Sequence, residues 1–186
     1  MAATATPPPQ LARQDFYART LPAVAQRFEG YDVDMGEMFL SLAMAYDTIT
    51  SHFGRRLGRY GLTFPAFNVL MIVNSPSYRE TGCPMSQIGE LLLVSKANVT
   101  GLVDSLQRKS FVKRCDADYD RRVKLVRLTA KGATLLGRVL PGHLAEVSRI
   151  LGTVSKQDRI KLRDLLRKLQ AGLEHAMEAD DAQTTR

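Results

Sequence analysis

Between Pro84 and Gly132 two short apolar stripes of helical period are followed at once by an alternating, strongly basic pattern, and few folds accommodate that order. Met85-Ser86-Gln87-Ile88-Gly89-Glu90-Leu91-Leu92 reads as a first helix and Leu93-Val94 as a turn. Ser95 to Ser110 reads as a second helix, with Val99, Leu102, Val103 and Leu106 on one face. Phe111-Val112-Lys113-Arg114 and Val123 to Leu128 read as strands around a polar tip, Cys115 to Arg122. Helix, turn, helix and charged hairpin is the order of a winged helix-turn-helix, which lays its second helix in the major groove and its wing on the DNA backbone.

The flanking sequence predicts a mainly α protein with a small β-wing. Residues 1–10 are Ala/Thr/Pro-rich and read as disordered. Residues 11–60 hold an extra N-terminal helix and a long helix. In the first, Leu11, Tyr17, Leu21, Val24 and Phe28 recur at helical spacing, and Pro22 is expected to kink or split it. The second spans roughly Met35 to Arg59, with Phe39, Leu42, Tyr46, Ile49, Phe53 and Leu57 in its stripe and Gly61 as its stop. Residues 61–132 form the winged unit, opened by a helix that Thr63 caps. Residues 133–175 supply two more helices, the first interrupted at Pro141-Gly142 and the second carrying Leu162, Leu165, Leu166, Leu169 and Leu173. Residues 176–186 read as an acidic, flexible tail. Long apolar stripes at both ends of so small a unit need cover, most simply from a second copy, so these are expected to be dimerisation helices of a homodimer.

Charge supports the DNA reading through its placement. Of a net +7, residues 1–50 contribute three Lys/Arg against six Asp/Glu, whereas residues 108–138 hold ten Lys/Arg against three Asp. The basic excess therefore coincides with the wing and the end of the helix before it, the expected footprint of a phosphate-backbone ligand. Other classes find no support. No apolar run approaches the roughly 18–20 residues that span a bilayer, and the N-terminus lacks a signal-peptide pattern, so a cytoplasmic protein with no membrane partner is expected. Two Cys and three His, all well separated, form neither a disulfide framework nor a metal-ligand pattern. With no nucleophile elbow, phosphate loop or dinucleotide fingerprint, an enzyme is not indicated, and no catalytic residue, metal or cofactor is expected.

On the second helix, Ala97, Gly101, Asp104 and Arg108 point away from the apolar face, flanked by Lys96, Asn98, Thr100 and Ser105. Small Ala97 and Gly101 admit close approach to a groove floor. Asn98 can pair bidentately with adenine and Lys96 can reach guanine or phosphate. Ser95 caps the helix, where a phosphate is also favoured. In the wing, Asp120 can brace one of Arg121 and Arg122 by a charge-assisted hydrogen bond, leaving the other for phosphate or the minor groove. Lys124 adds a further cation.

The run Asp120-Arg121-Arg122, then Val123 to Leu128 and Thr129-Ala130-Lys131-Gly132, resembles the wing signature of MarR-type regulators, an Asp-x-Arg followed by Leu-Thr-x-x-Gly. Ser95-Lys96-Ala97-Asn98-Val99-Thr100, with Leu102-Val103 and Leu106, is similar to that family's recognition helix. The resemblance spans about Met35 to Leu173. It implies a triangular homodimer on a pseudo-palindromic operator in double-stranded DNA, acting as a repressor released by a small-molecule effector, aromatic or anionic. It also implies an effector pocket between the long helices and the winged unit, for which Tyr46, His52, Phe53 and Phe67 are the candidates. The extra N-terminal helix resembles the urate-sensing branch, but the chain contains no Trp, a residue expected in that branch's ligand site. The peroxide-sensing branch has a Cys near the start of its first long helix, and none stands there. Two other functions fit the scaffold: a thiol-based redox switch through Cys83 or Cys115, and a winged-helix protein-interaction module without DNA binding.

Overall fold

Side-chain caps at the helix starts set the frame. Asp32, Thr63, Ser95 and Thr129 each accept a hydrogen bond from the amide three residues on, at Met35, Ala66, Asn98 and Gly132, so each starts a helix by satisfying one of its orphan donors. The structure is a computed structural model describing residues 9–92, 94–118, 120 and 122–184. Its elements are α1 (Pro9–Arg27), α2 (Val33–Gly58), α3 (Phe64–Val73), β1 (Cys83–Pro84), α4 (Met85–Leu92), α5 (Lys96–Arg108), β2 (Val112–Asp116), β3 (Lys124–Leu128), α6 (Ala130–Leu151) and α7 (Lys156–Thr184). This is the mainly α, winged-helix architecture expected.

The core lies inside the winged unit. Val69, Leu70 and Val73 of α3 are buried together with Ile88 of α4, Val99, Val103 and Leu106 of α5, Val112 of β2 and Val126 of β3. Leu57 of α2 and Leu136 and Val139 of α6 close its far side. The sheet is antiparallel with order β1-β3-β2, and β2 pairs with β3 from Val112↔Leu128 to Asp116↔Lys124.

Several boundaries depart from the sequence expectation. Pro22 does not split α1, because buried Leu21 next to it anchors the helix on α2, against Gly36. Pro141 does not interrupt α6. The carbonyl it frees belongs to Gly137, and both residues are exposed, so water can satisfy it. A third strand, β1, pairs Cys83 with Val126 and Pro84 with Leu125, and two residues are too few to show an alternating pattern. α7 runs on to Thr184, through the acidic stretch read as a flexible tail, because residues 174–184 contain neither Gly nor Pro. Residues 1–8, the turn residue Leu93 and residues 185–186 lie outside the described residues.

The wing is fastened to α6 at its base. The Thr129 hydroxyl donates to the Ser110 carbonyl at 2.7 Å and accepts from the Gly132 amide at 3.0 Å. Ser110 itself sits at φ +59°, and the Thr129 amide donates to the Phe111 carbonyl. A Cβ on Gly132 would lie 2.1 Å from that carbonyl oxygen and 2.9 Å from Leu128 Cδ1. The family-like glycine is therefore a packing requirement, with backbone on the other side. Gly132→Ala should destabilise the fold by roughly 1–3 kcal/mol or more, read as a lower denaturant midpoint at unchanged slope.

Candidate nucleic-acid interface

The α5 helix turns its apolar stripe inward and leaves Lys96, Ala97, Asn98, Thr100, Gly101 and Arg108 exposed, with Ser105 half-buried. Nothing lies within 4 Å of where a Gly101 Cβ would stand, so the helix surface there is open to close approach. Ser95 caps the helix, and the Thr100 hydroxyl bonds back to the Lys96 carbonyl at 3.0 Å.

In the wing, Asp120 holds Arg122. Arg122 Nε lies 3.1 and 3.2 Å from the two carboxylate oxygens, Nη2 donates to Oδ2 at 3.1 Å, and the Arg122 amide donates to Oδ1 at 2.9 Å. These side-chain and backbone hydrogen bonds hold the Asp120 carboxyl below its ordinary pKa. The Arg122 side chain remains 91% exposed, so it is aimed but not consumed. Lys124 is paired with Asp116 across the hairpin. Arg121 lies outside the described residues.

One broad groove gathers α4, α5 and the wing, with Met177 of α7 at its border. Ser95, Lys96 and Thr100 line it from α5, Arg122 and Lys124 from the wing. Ala97, Asn98, Gly101, Ser105 and Arg108 do not line it; they lie along the neighbouring face of α5 or on its flank. The pairing of Asp104 with Arg114 in this groove escaped sequence reading. Asp104, expected to point outward, accepts from Arg114 of β2 at 2.5 Å. The available signal was period two: Arg114 shares the β2 face of buried Val112, which turns it toward α5.

The effector candidates are scattered. Phe53 and Phe67 are buried, and both rings pack on His143 of α6, with centroids 4.7 and 4.6 Å away. Burial first, and then Arg56, hold the His143 pKa below its ordinary value. His52 donates from Nε2 to Glu146 Oε1 at 2.7 Å. Tyr46 is 68% exposed and stands apart from this group. A small cleft between α2 and α6 is lined by Phe53, Arg56, Leu57, Arg59, Tyr60, Val139, Gly142 and His143. Sequence periodicity pointed to Phe53 but not to the α6 side, because His143 lies on a helix far along the chain from Phe53 and Arg56 and shares no local pattern with them.

Burial pushes the Cys83 thiol up to about 11, so it stays protonated at neutral pH, whereas Cys115 is half-buried. Among the described residues no cluster of His, Cys, Asp and Glu is arranged to hold a metal, and no helix is long and apolar enough to cross a membrane.

Known proteins share this sequence pattern and this fold. A MarR family model matches residues 60–123. The HTH-type transcriptional regulator MhqR of Bacillus subtilis is 29% identical over 133 residues, 72% of this chain and 89% of that protein. The uncharacterized HTH-type transcriptional regulator YfiV of the same organism is 32% identical over 116 residues, 62% of this chain and 69% of that protein. The chain belongs to the MarR family. The MarR family regulator Sco3205 from Streptomyces coelicolor, solved in complex with DNA, shares the fold at a TM-score of 0.70 and 22% identity, over 77% of this chain and 93% of that one. MarR relatives are transcriptional regulators, not enzymes.

One charged cluster sits apart from the groove. Glu146 of α6 is 8% exposed, bonded by His52, by Arg149 at 2.7 and 3.1 Å, and with Arg56 at 3.8 Å. Chiefly through Arg149, its carboxyl is pulled down to about 2 from 4.5. A folded-state pKa below the unfolded one stabilises above the unfolded value and is lost as pH falls toward the folded value. His143, also depressed, loses its contribution below about 6.5. Thermal midpoints should therefore fall on acidification, first below 6.5 and then between 4.5 and about 2. Glu146→Gln should flatten the lower limb only; an unchanged lower limb in that variant would assign it to other carboxylates.

Proposed function

We propose that this MarR-family chain is a homodimeric, cytoplasmic repressor that reads a pseudo-palindromic operator in double-stranded DNA and releases it when a small-molecule effector binds. Residues 61–132 form the reading unit, and residues 11–60 and 133–175 carry the dimerising helices. The observation that carries this reading is the shared groove, where Lys96 on α5 and Arg122 and Lys124 on the wing face the same space. Phosphate contacts fix register and base contacts specify sequence, and a helix–wing unit supplies both. In this reading Asn98 contacts a base edge. Ala97 and Gly101 let the helix seat closely. Ser95, Lys96, Thr100, Ser105, Arg108, Arg121 and Lys124 hold phosphates or flank the bases, and Asp120 aims Arg122. That the structurally similar Sco3205 was solved in complex with DNA supports DNA as the ligand.

The homodimer rests on apolar faces that the chain leaves uncovered. Met35, Met38, Phe39, Tyr46 and Ile49 on α2 and Leu162, Leu165 and Leu173 on α7 are between 44% and 69% exposed. Apolar stripes of this extent mark association sites. An isologous partner covers both terminal helices at once. The effector reading rests on the α2–α6 cleft, where Arg56 and Arg59 suit an anion and Phe53, Tyr60 and His143 suit an aromatic ring.

Two measurements test this. Leu166→Asp with Leu173→Asp should convert the dimer to monomer in sedimentation, since each buried Leu contributes roughly 1.5–3 kcal/mol; a folded dimer in that variant would remove α7 from the interface. For DNA, Asn98→Ala should cost roughly 1–3 kcal/mol per half-site and relax preference at one base position. Arg122→Ala should weaken operator and scrambled duplex alike and reduce the salt slope by about one per subunit, with Asp120→Ala a milder version. Should Arg122→Ala bind both duplexes like the parent, the wing has no part in binding.

A further inference from the structure

We infer that Arg114 is a positioning residue for operator recognition, a clamp that sets the angle between recognition helix and wing and so lets both engage one half-site together. The inference rests on the DNA-binding reading of the groove and adds a residue outside the contacts assigned to it.

Arg114 stands at the third position of β2, opposite Val126, on the same strand face as buried Val112. From there its guanidinium crosses to α5 and meets three acceptors. Nη1 donates to Asp104 Oδ1 at 2.5 Å and to Gln107 Oε1 at 3.1 Å, and Nη2 donates to the Thr100 carbonyl at 3.5 Å. Thr100, Asp104 and Gln107 are spaced i, i+4, i+7, which aligns them along one side of the helix over two turns. A planar fork with several donors fixes an orientation that a single ammonium does not.

Exposure separates this arginine from the wing-tip one. Only 26% of the Arg114 side chain is accessible, against 91% of Arg122. Arg122 projects toward a ligand, while Arg114 is turned onto the protein. The clamp has an electrostatic side as well. Asp104 is 44% exposed in a groove that is to receive a polyanion. Unpaired, it repels phosphate; paired, its charge is offset and its oxygen is committed to the wing.

A clamp and a phosphate ligand differ in what they change. Loss of a phosphate contact lowers specific and non-specific affinity together and reduces the salt slope by about one per subunit. Loss of a positioning contact misaligns two reading elements that fit only a correct site, so it lowers operator affinity while sparing loose association with random DNA. Lysine keeps the charge but not the fork, so Arg114→Lys separates charge from geometry.

The test uses the full-length protein, a duplex that the parent enriches from a randomised library, and a scrambled version of that duplex. Arg114→Ala and Arg114→Lys should each lower affinity for the enriched duplex about tenfold, within the range of one poor base step. Affinity for the scrambled duplex should change less than about twofold, at the parent's salt slope. Should Arg114 variants prove unfolded by thermal melting, Asp104→Asn with Gln107→Ala removes the same clamp from the exposed side of the helix. It should give the same loss of discrimination. Full recovery of operator affinity in Arg114→Lys, equal losses on both duplexes, or a salt slope reduced by one in Arg114→Ala would each overturn the inference. If the parent enriches no duplex at low salt, the DNA-binding reading itself fails, a result distinct from any of these.

Discussion

A helix that must offer one face to a ligand is held only by its other face, and here that face is narrow. The inward stripe of α5 is Val99, Val103 and Leu106, each at most 1% exposed. Against it lie α3, through Val69, Leu70 and Val73, and the sheet, through Val112 and Val126. Side chains of this size contribute roughly 1.5–3 kcal/mol each when fully buried. Because the stripe is β-branched or Leu at every position, it seats in a restricted set of rotamers, and the helix has little freedom to roll. The azimuth of Lys96, Asn98 and Gly101 toward solvent is thus decided by residues that never meet a ligand.

The same logic explains what could be read from sequence and what could not. Period and caps are local, so α5, its Ser95 cap, the Thr63 and Thr129 caps and the two wing strands are legible from neighbouring residues. A brace from Asp120 to a neighbouring arginine is legible as well, although the sequence leaves open whether Arg121 or Arg122 takes it. Long-range pairing is not. Nothing near Arg114 announces that Asp104 waits on another element, and nothing near Glu146 announces His52, 94 residues away. β1 is invisible because two residues show no alternation. The proline expectations at 22 and 141 failed for a different reason: intrinsic propensity is a weak prior, and tertiary anchoring or solvation of a freed carbonyl overrides it.

The junction between the open helical faces and the winged unit is polar in an unusual way. Glu146 is a nearly buried carboxylate, and charge of that kind persists only where donors surround it. His52 and Arg56 come from α2, and Arg149 comes from α6 itself. Removing one partner leaves the Glu146 carboxylate with fewer donors, whereas His52, Arg56 and Arg149 each keep access to solvent. The cluster tells α2 and α6 where to cross, which an apolar seam alone, with its interchangeable side chains, specifies less sharply.

One mechanical consequence follows from the way α6 is built in. Its first turn is welded to the wing by the Thr129 hydroxyl and by the tight contact of Gly132 with the Phe111 carbonyl. About 24 Å further along, at 1.5 Å per residue, the same helix carries Glu146 and, just before it, His143. The helix therefore joins the wing's root to the α2–α6 crossing in one unbroken span, and Pro141, which frees the Gly137 carbonyl, puts a gap in its hydrogen-bond ladder between the two ends.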